Sequence, residues 1–454
     1  YVGMNMQEVA VKPVIKVLLQ SDTQNLDEVV VTAMGITRSE KTLGYSATTV
    51  KADEIISSRT TNVADALSGK VAGLSVSSTS SDPGSVSNIV IRGFSSINGS
   101  NQPLYVVDGV PLQNNMVSGD GKNVSTGGIS SVASEDIASM TVLKGAAATA
   151  LYGSRAANGV IVITTKSGKK GDGRNFSISY SGNVQARMVS FLPEMQNSFG
   201  QGWNGAQTYI ENGSWGPRLD GSMQVYGPIW NNQQLIHEYS AKKDNVKDFF
   251  DPGWSQNHTV SLSGVSADTK MDYYLSYSFT KDDGIMPKDY DTYERNTVAF
   301  RGGYEATNWL KVSSSLNFAR SQTDAVGSFQ GTSVIDGVFE LPRDISIVDM
   351  KDTSSPFNTP EAYFTPYGIT NPYWALENNY NHTASKQIYG KVQVDVTPIK
   401  ELKLSYRMGF DYTDYDRKVG TPQINLDDAL IDEDYGYAPS NMNQSGHVYT
   451  RYGR

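Results

Sequence analysis

The four histidines are the first residues to consider for catalysis or metal binding. His237, His258, His382 and His447 are widely separated in the sequence. No His-Glu-x-x-His spacing is present, and the histidines form no group that resembles a catalytic triad. The chain contains no cysteine, which excludes disulfides and thiolate metal sites. We therefore predict no enzyme activity, no cofactor and no metal centre.

The clustered carboxylates favour solvated turns over chemistry. Asp282 and Asp283 precede a turn glycine, where solvent exposure is the simplest interpretation. The acidic residues between Asp427 and Asp434 have the oxygen ligands that Ca²⁺ prefers, but they lack the spacing and central glycine of an EF-hand loop. Gly171-Asp-Gly173 is not followed by Gly-Lys-Ser/Thr at P-loop spacing. A Ca²⁺ site in the acidic stretch stays open as the alternative to a solvated loop.

Aromatic and amide side chains in loop-like stretches are better candidates for ligand binding. Indole and phenol rings stack on sugars or on apolar peptide side chains, although loop packing or an interfacial aromatic girdle explains each of them equally well. Asn, Gln and Ser side chains in the stretches 94–102 and 113–125 are suited to hydrogen bonding with neutral polar ligands. The candidate binding residues are Asn98, Asn101, Gln102, Gln113, Asn114, Trp203 and Trp215, with Tyr226 and Trp230 as further stacking candidates.

The composition limits the class of protein. A net charge of −9 without a basic stripe argues against a nucleic-acid partner. No run of about 18 apolar residues predicts a transmembrane helix, but membrane barrels carry a weaker hydropathy signal. The first residue is Tyr1 rather than Met, and the chain ends abruptly at Arg454, so we expect further residues at both ends.

The first 44 residues predict two short regions. Residues 1–20 alternate in polarity and contain the apolar segment Val14–Leu19, which is typical of the tail of a small β-sandwich domain. Residues 21–44 are polar and linker-like, apart from the β-branched segment Asp27–Thr32. This segment is either an ordinary edge strand or a peptide strand that adds to the sheet of another protein.

Residues 45–171 predict one mixed α+β domain. Ala146–Tyr152 is a helix of small residues, and Gly153 follows where a left-handed cap is needed. Gly159–Thr165 is a continuous apolar, β-branched run, typical of a strand that is covered on both faces. Asp108-Gly109 lies between apolar residues and predicts a hairpin turn.

Residues 172–454 have a different pattern, with long stretches of alternating apolar and polar residues. Each stretch matches the roughly 9–11 residues that a tilted strand needs to cross a bilayer. Long aromatic-rich connections alternate with tight turns, as in a membrane barrel, and a soluble sandwich gives no reason for this alternation. We predict seven strands and the start of an eighth at His447 to Arg451. The clearest stretches are 176–184, 271–280, 310–318, 388–397 and 402–412.

Several longer motifs together resemble the SusC/RagA-like branch of the TonB-dependent outer-membrane transporters. The resemblance covers most of residues 27–320, and the motifs of the α+β region are long and specific. The matching stretches are Asp27–Thr32, Ile91-Arg-Gly-Phe94, Pro103–Pro111, Val142–Arg155, Ala157–Thr165 and Trp215–Gly221.

The resemblance implies a membrane β-barrel of about 22 strands, incomplete in this chain, with an N-terminal α+β plug domain inside it. Residues 1–20 would end a carboxypeptidase-regulatory-like domain, residues 21–44 would be a linker with the TonB box, and residues 45–171 the plug. Residues 172–454 would be the N-terminal portion of the barrel with long extracellular loops. The implied location is the outer membrane, with the N-terminal region in the periplasm.

The resemblance also implies partners and site residues. The partners are TonB with its ExbB/ExbD energy complex, a SusD-like surface lipoprotein, outer-membrane lipid and an oligosaccharide or peptide cargo, and such transporter–lid pairs commonly form dimers. The TonB box would be Asp27, Glu28, Val29, Val30, Val31 and Thr32. The plug signature would be Arg92, Gly93, Asp108, Gly109, Lys144, Gly145, Tyr152, Gly153, Arg155, Asn158 and Gly159.

Within the plug signature, we expect Arg92 to pair with a carboxylate such as Asp108, unless Asp108 serves only its own turn. The predicted function is TonB-dependent, energy-coupled import of glycan or peptide oligomers. The alternatives are a siderophore receptor of the same fold, a signal-transducing receptor, and a structural or adhesive β protein.

Overall fold

Two sheets dominate the computed structural model, one inside the curve of the other. The structure describes residues 29–31, 37–39, 47–57, 62–78, 82–85, 87–95, 97, 101–112, 128–168, 175–207, 213–326, 333–358, 371–421 and 446–453. The predictions for residues 1–20, for the acidic stretch 427–434 and for Asp27, Glu28 and Thr32 lie outside these residues. The remaining part of the predicted TonB box, Val29–Val31, is strand β1, which pairs antiparallel with β2, Thr37–Ser39.

The inner unit is a mixed α+β domain around a five-stranded sheet. Its strand order is β3-β8-β9-β6-β7, with β6 and β9 parallel and the other neighbours antiparallel, while β4 and β5 form a separate hairpin. The elements are β3 Ala47–Lys51, α1 Ala52–Ser57, β4 Leu74–Ser78, β5 Ser87–Ile91, β6 Leu104–Val107, β7 Val110–Pro111, β8 Ile137–Leu143, α2 Ala146–Tyr152 and β9 Val160–Thr165.

Strand β9 is central and is covered on both faces, as its β-branched run predicted. Ile161 and Ile163 belong to one core cluster, and Val160 and Val162 belong to the cluster on the opposite face. Helix α2 packs on the second cluster through Ala148, whose small side chain lets the helix approach the sheet closely. The alternation of side chains along a strand therefore gives this domain two apolar cores.

The outer unit is an eight-stranded antiparallel sheet. It runs in the order β10-β13-β14-β15-β16-β17-β18-β19, so that each strand pairs with the next one along this sheet. The hairpin β11–β12 lies outside it. The strands are β10 Phe176–Arg187, β11 Met223–Trp230, β12 Gln233–Glu238, β13 Gly253–Val265, β14 Met271–Asp283, β15 Thr292–Thr307, β16 Leu310–Asp324, β17 Tyr380–Ile399, β18 Leu402–Thr421 and β19 Gly446–Gly453.

The two faces of this sheet have the reverse of the polarity found in a soluble protein. Tyr277 and Phe318 belong to an outward band of exposed apolar side chains, whereas Ser278 and Asn317 point inward and are buried. Burial of the polar face and exposure of the apolar face is the arrangement of a barrel wall in lipid around a filled lumen. Among the described residues, no helix is long and apolar enough to cross a membrane.

One rim of the sheet carries tight turns and the other carries long connections, as predicted. Residues 266–270, 308–309 and 400–401 are the tight turns. At the opposite rim, the connections fold on each other around α3 Asn245–Phe249, α4 Val334–Phe339 and α5 Pro372–Asn378. Their apolar residues form a third core cluster that includes Phe249, Val338 and Tyr373. The sequence pattern did not predict this core, because it is assembled from three separate connections.

Candidate functional site

The turn between β6 and β7 attaches the inner domain to the barrel wall. Asp108 has a left-handed backbone with φ of 49°, and its carboxylate accepts hydrogen bonds from the backbone N–H of Thr165, at 3.0 Å, and from the Thr165 hydroxyl. The same carboxylate lies 3.5 Å from Nε of Arg301 on β15. Lys391 on β17 donates to the Asp108 carbonyl oxygen at 2.8 Å. One turn thereby joins the central strand of the inner domain to two wall strands.

The wall holds the Arg301 side chain in place from several directions. Its guanidinium donates to Asn317 Oδ1 at 3.1 Å and lies over the Tyr274 ring, 5.4 Å from the centroid. The Tyr274 hydroxyl donates to Asp136 of the inner domain at 2.8 Å. These contacts combine a cation–π interaction with charge-assisted hydrogen bonds in a buried setting, where both are strengthened.

Further contacts connect the inner domain to the wall by close approach. Fully buried Arg295 donates from Nη1 to the Ser130 carbonyl oxygen at 2.7 Å. Gly84 lies flat on the Tyr293 ring, where an added Cβ would lie 2.2 Å from a ring carbon. Gly109 lies equally close to Arg407 on β18: a Cβ added at Gly109 would lie 2.1 Å from Nη1 of the Arg407 guanidinium. Any side chain at either glycine would displace the wall residue.

The predicted pair of Arg92 and Asp108 is wrong. Among the described residues, Asp108 forms its ion pair with Arg301. Arg92 follows β5 with φ of 60°, and its Nη1 lies 3.0 Å from the Cβ position of Gly145. The hairpin β4–β5, at whose end Arg92 lies, is not hydrogen-bonded to the sheet that contains the β6–β7 turn.

The remaining signature residues shape the ends of β8, α2 and β9. Lys144 is buried and donates to the Ala72 carbonyl oxygen at 2.7 Å; its pKa is lowered by desolvation and by nearby Arg92. Tyr152 packs against the core cluster that contains Val160 and Val162, and Arg155 is exposed. The signature glycines with a left-handed φ are Gly93, Gly109, Gly145, Gly153 and Gly159.

Two of the predicted binding amides take part in a hydrogen-bond network of the inner domain. Asn101 Oδ1 accepts from the Ser95 backbone N–H at 2.8 Å, and the Ser95 hydroxyl donates to Asn158 Oδ1 at 2.8 Å. Gln102 is only 7% exposed and donates to Asn88 Oδ1 at 3.2 Å. Asn98, Gln113 and Asn114 lie outside the described residues. A cargo role for these amides stays a prediction.

The predicted tryptophans lie between β10 and β11, in one of the long connections at the rim opposite the tight turns; these are the outer connections. Trp203 and Trp215 are 46% and 60% exposed, so both rings have free surface for stacking. Trp215 packs on Phe199 with ring centroids 5.9 Å apart, and Gly213 lies against the Trp203 indole. Short backbone bridges pair segments of this connection next to both tryptophans. Their role in cargo binding stays a prediction.

Two carboxylates in the outer connections have unusual surroundings. Asp344 lies 2.6 Å from His237 Nε2. Asp291 is 2% exposed and accepts hydrogen bonds from the backbone N–H groups of Ile285 and Met286, both at 3.1 Å. Burial, together with nearby Asp82 and Asp283, raises the pKa of Asp291 to about 7. In the described ranges, no group of three or more His, Cys, Asp or Glu could hold a metal ion.

A cavity of about 440 Å³ opens among the same outer connections. It is bounded by residues that follow β10, by the first turn of α3 and by Arg343. Arg343 is 4% exposed, and desolvation lowers its pKa. Its guanidinium donates to the carbonyl oxygens of Gln196 and Lys242 and to Asn197 Oδ1, at 2.9, 3.3 and 2.6 Å.

Comparison with known proteins agrees with this architecture. The family model for the TonB-dependent Receptor Plug Domain matches residues 39–160. The TonB-dependent receptor SusC of Bacteroides thetaiotaomicron is 31% identical over 91% of this chain and 40% of SusC. The TonB-dependent receptor P3 of Formosa agariphila is 30% identical over 81% of this chain and 33% of P3.

Solved structures show the same fold. The RagAB peptide importer in the open-open state matches with a TM-score of 0.66 at 24% identity, over 89% of this chain and 44% of that one. The closed-closed state matches with a TM-score of 0.61 at 21% identity, over 91% of this chain and 52% of that one.

A plug domain packed against an antiparallel wall with an apolar outer face is the arrangement of a TonB-dependent receptor. Over 91% of its length the chain is similar to a receptor of the SusC/RagA type, as the sequence motifs predicted. It spans 40% of the length of SusC. The fold of the solved structures identifies its outer sheet as part of a barrel wall.

Proposed function

We propose that the protein imports oligomeric nutrients, glycans or peptides, across the outer membrane without catalysing a reaction. The observation that carries this proposal is the inner domain that lies against the wall through Asp108, Asp136 and Ser130. A lumen that contains a folded domain blocks passive diffusion. Transport therefore requires the domain to rearrange, and the rearrangement requires energy, which TonB with ExbB/ExbD supplies in this proposal.

The pulling force of TonB would act on the N-terminal segment. Val29–Val31 adopts an extended strand, the conformation required for addition to the sheet of a partner such as TonB. The opposite end of the plug is fixed close to the tight-turn rim, where the Cβ position of Gly168 lies 2.5 Å from the Gly264 carbonyl oxygen. A pull at residues 27–32 would then act on a domain whose exit stays attached to the wall.

The long-connection rim would face the exterior and receive cargo. Exposed Trp203 and Trp215 would stack on sugar rings or apolar side chains there. A SusD-like lipoprotein would close over this rim, and pairs of transporter and lid would form the dimer that related transporters commonly form. The periplasm would contain residues 1–44, and the wall would contact outer-membrane lipid through its apolar band.

Deletion of residues 27–32 in the full-length protein tests the energy-coupling step. We expect growth on an imported oligomer to be lost while the receptor still reaches the outer membrane and still binds cargo. A control that replaces six residues of the neighbouring linker, 21–26, by Gly and Ser should leave growth intact. Unchanged growth of the deletion strain would contradict TonB-dependent import and would favour a structural or adhesive role.

Cargo and lid need separate measurements. Co-purification of a surface lipoprotein with the tagged receptor would support the SusC-type assembly. Binding of ferric siderophores, but not of oligosaccharides or peptides, would favour the siderophore alternative. A signalling role would appear as altered gene expression on cargo binding without net uptake.

A further inference from the structure

The side chains that line the cavity beside α3 carry a net positive charge, because Arg343 is one of them. Four other charged side chains line it, Lys243, Lys247, Glu194 and Asp244, and all four are exposed. Two of these are cationic and two anionic, so their charges cancel, and solvent screens them. Arg343 is the buried member of the set, and its positive charge is therefore the one that acts most strongly on the cavity.

The bonds of Arg343 leave part of its guanidinium available. Nε and Nη2 donate to two carbonyl oxygens and one amide oxygen, all of them neutral. Within the described part of the chain, no carboxylate lies within ion-pair distance of Arg343, and Nη1 makes no hydrogen bond. A buried arginine with a free amino group and neutral partners is suited to bind an anion from the cavity, because a charge-assisted bond would offset its desolvation.

The rest of the cavity wall indicates what should accompany that anion. The volume of about 440 Å³ falls within the range of small-ligand sites. Five lining side chains are apolar and come from the chain after β10 and from α3. They are Val189, Leu192, Pro193, Met195 and Val246.

We propose that this cavity is a cargo subsite for a carboxylate next to an apolar group, such as the C-terminus of a peptide that ends in an apolar residue. Arg343 binds the carboxylate through Nη1, and the apolar wall covers the adjoining side chain. The role as a cargo subsite rests on the proposed import function, since it assigns the long-connection rim to the exterior. Within the two cargo classes considered above, the subsite favours peptides over neutral glycans.

Calorimetric titration of the full-length receptor in detergent tests the subsite with a matched pair of probes. Acetyl-alanyl-leucine carries the carboxylate, and acetyl-alanyl-leucine amide has the same size and apolar content without the charge. We expect the acid to bind about tenfold to a hundredfold more tightly, the range for a hydrogen bond to a charged group. Equal affinities, or no binding of the acid at millimolar concentration, would overturn the proposal.

Two substitutions locate the effect. Arg343→Gln should bring the ratio of acid to amide affinity close to one. Val189→Trp should fill the cavity and weaken binding of the acid at least about tenfold while the bonds of Arg343 remain. Lys311→Gln, in an exposed pair with Glu305 at a tight turn, is the control and should change neither affinity.

The outcomes stay decisive if the first variant misfolds. Loss of its thermal transition would show that Arg343→Gln unfolds the outer connections, and Val189→Trp would then decide the location of the site. An unchanged affinity for the acid in Val189→Trp would overturn the assignment to this cavity. Failure of the import proposal is measured separately: it would appear as unchanged uptake after deletion of residues 27–32, a result that does not depend on binding of the probes in detergent.

Discussion

Replacement of Asp108 by Asn tests whether one buried ion pair holds the plug against the wall. Asparagine has nearly the same size and tolerates the left-handed backbone of this position. Its amide oxygen still accepts the hydrogen bond from the Thr165 backbone N–H. The Thr165 hydroxyl, which donates to the other carboxylate oxygen, can rotate to accept from the new amide nitrogen. The substitution therefore removes mainly the negative charge that faces Arg301.

The size of the effect follows from the separation and burial of the two groups. At 3.5 Å and an effective dielectric constant of about 20, two unit charges attract by about 5 kcal/mol. Desolvation offsets part of this, whereas loss of one partner leaves the other charge buried at a cost of about 3–5 kcal/mol. Asn317 and Tyr274 still contact Arg301 after the substitution. We therefore expect the folded, docked plug to lose about 3 kcal/mol of stability relative to the undocked plug, the low end of that range.

Labelling of a buried cysteine measures this loss. The chain contains no cysteine, so Val162→Cys, buried on β9, adds one thiol to the plug core of the full-length receptor. A loss near 3 kcal/mol should raise its maleimide labelling rate in urea about a hundredfold, since each 1.4 kcal/mol corresponds to a factor of about ten. Asp53→Asn, on the exposed side of α1, should leave the rate unchanged.

A double-mutant cycle with Arg301→Gln gives the result that would refute this reasoning. If the two charges stabilise the plug through each other, Asp108→Asn should cost much less in the Arg301→Gln background than in the wild type. An equal cost in both backgrounds would mean that Asp108 acts only through its own turn, the alternative interpretation of the Asp-Gly motif.

Two further predictions concern Gly84 of the plug and Asp291 in the connection between β14 and β15. Gly84→Ala should lower the free energy of unfolding of the plug by about 1–3 kcal/mol, because its methyl group overlaps the Tyr293 ring. Gly69→Ala is the control, since Gly69 has a similar positive φ in open space and the substitution costs only the backbone strain. Equal urea midpoints for the two variants would contradict this prediction. The pKa of Asp291 is raised from 3.8 to about 7, so its contribution to stability is fully present below pH 3.8 and is lost as the pH rises through 7. Urea unfolding should therefore show a less stable receptor at pH 8 than at pH 6, and Asp291→Asn should remove this dependence; greater stability at pH 8 in the wild type would disprove it.

Local sequence patterns predicted those elements whose conformation depends on consecutive residues. The small-residue segment Ala146–Tyr152 is a helix with the predicted ends, and the β-branched run is the central strand of the plug. Asp108-Gly109 forms the predicted hairpin turn between β6 and β7. In each case the signal is the conformational preference of consecutive residues, which tertiary contacts did not override.

Contacts between residues distant in sequence were not predictable in the same way. Asp108 and Arg301 are separated by nearly 200 positions, and nothing in either local sequence indicates that the β6–β7 turn faces β15. The same holds for Arg343 and the core of the outer connections, because their partners come from three separate loops. Asn101 and Gln102 have the composition of binding residues, yet they bond within the plug.

The sequence by itself determined the plug, the alternating strands and the rim to which each connection belongs, since periodicity and turn residues are local properties. Its motifs also identified the receptor family. Only the tertiary structure decided which charges meet across the plug–wall interface and which amides are already bonded. It also decided where a buried guanidinium borders a cavity. These features depend on the register and curvature of the wall around the plug, which arise from many long-range contacts and leave no local pattern in the sequence.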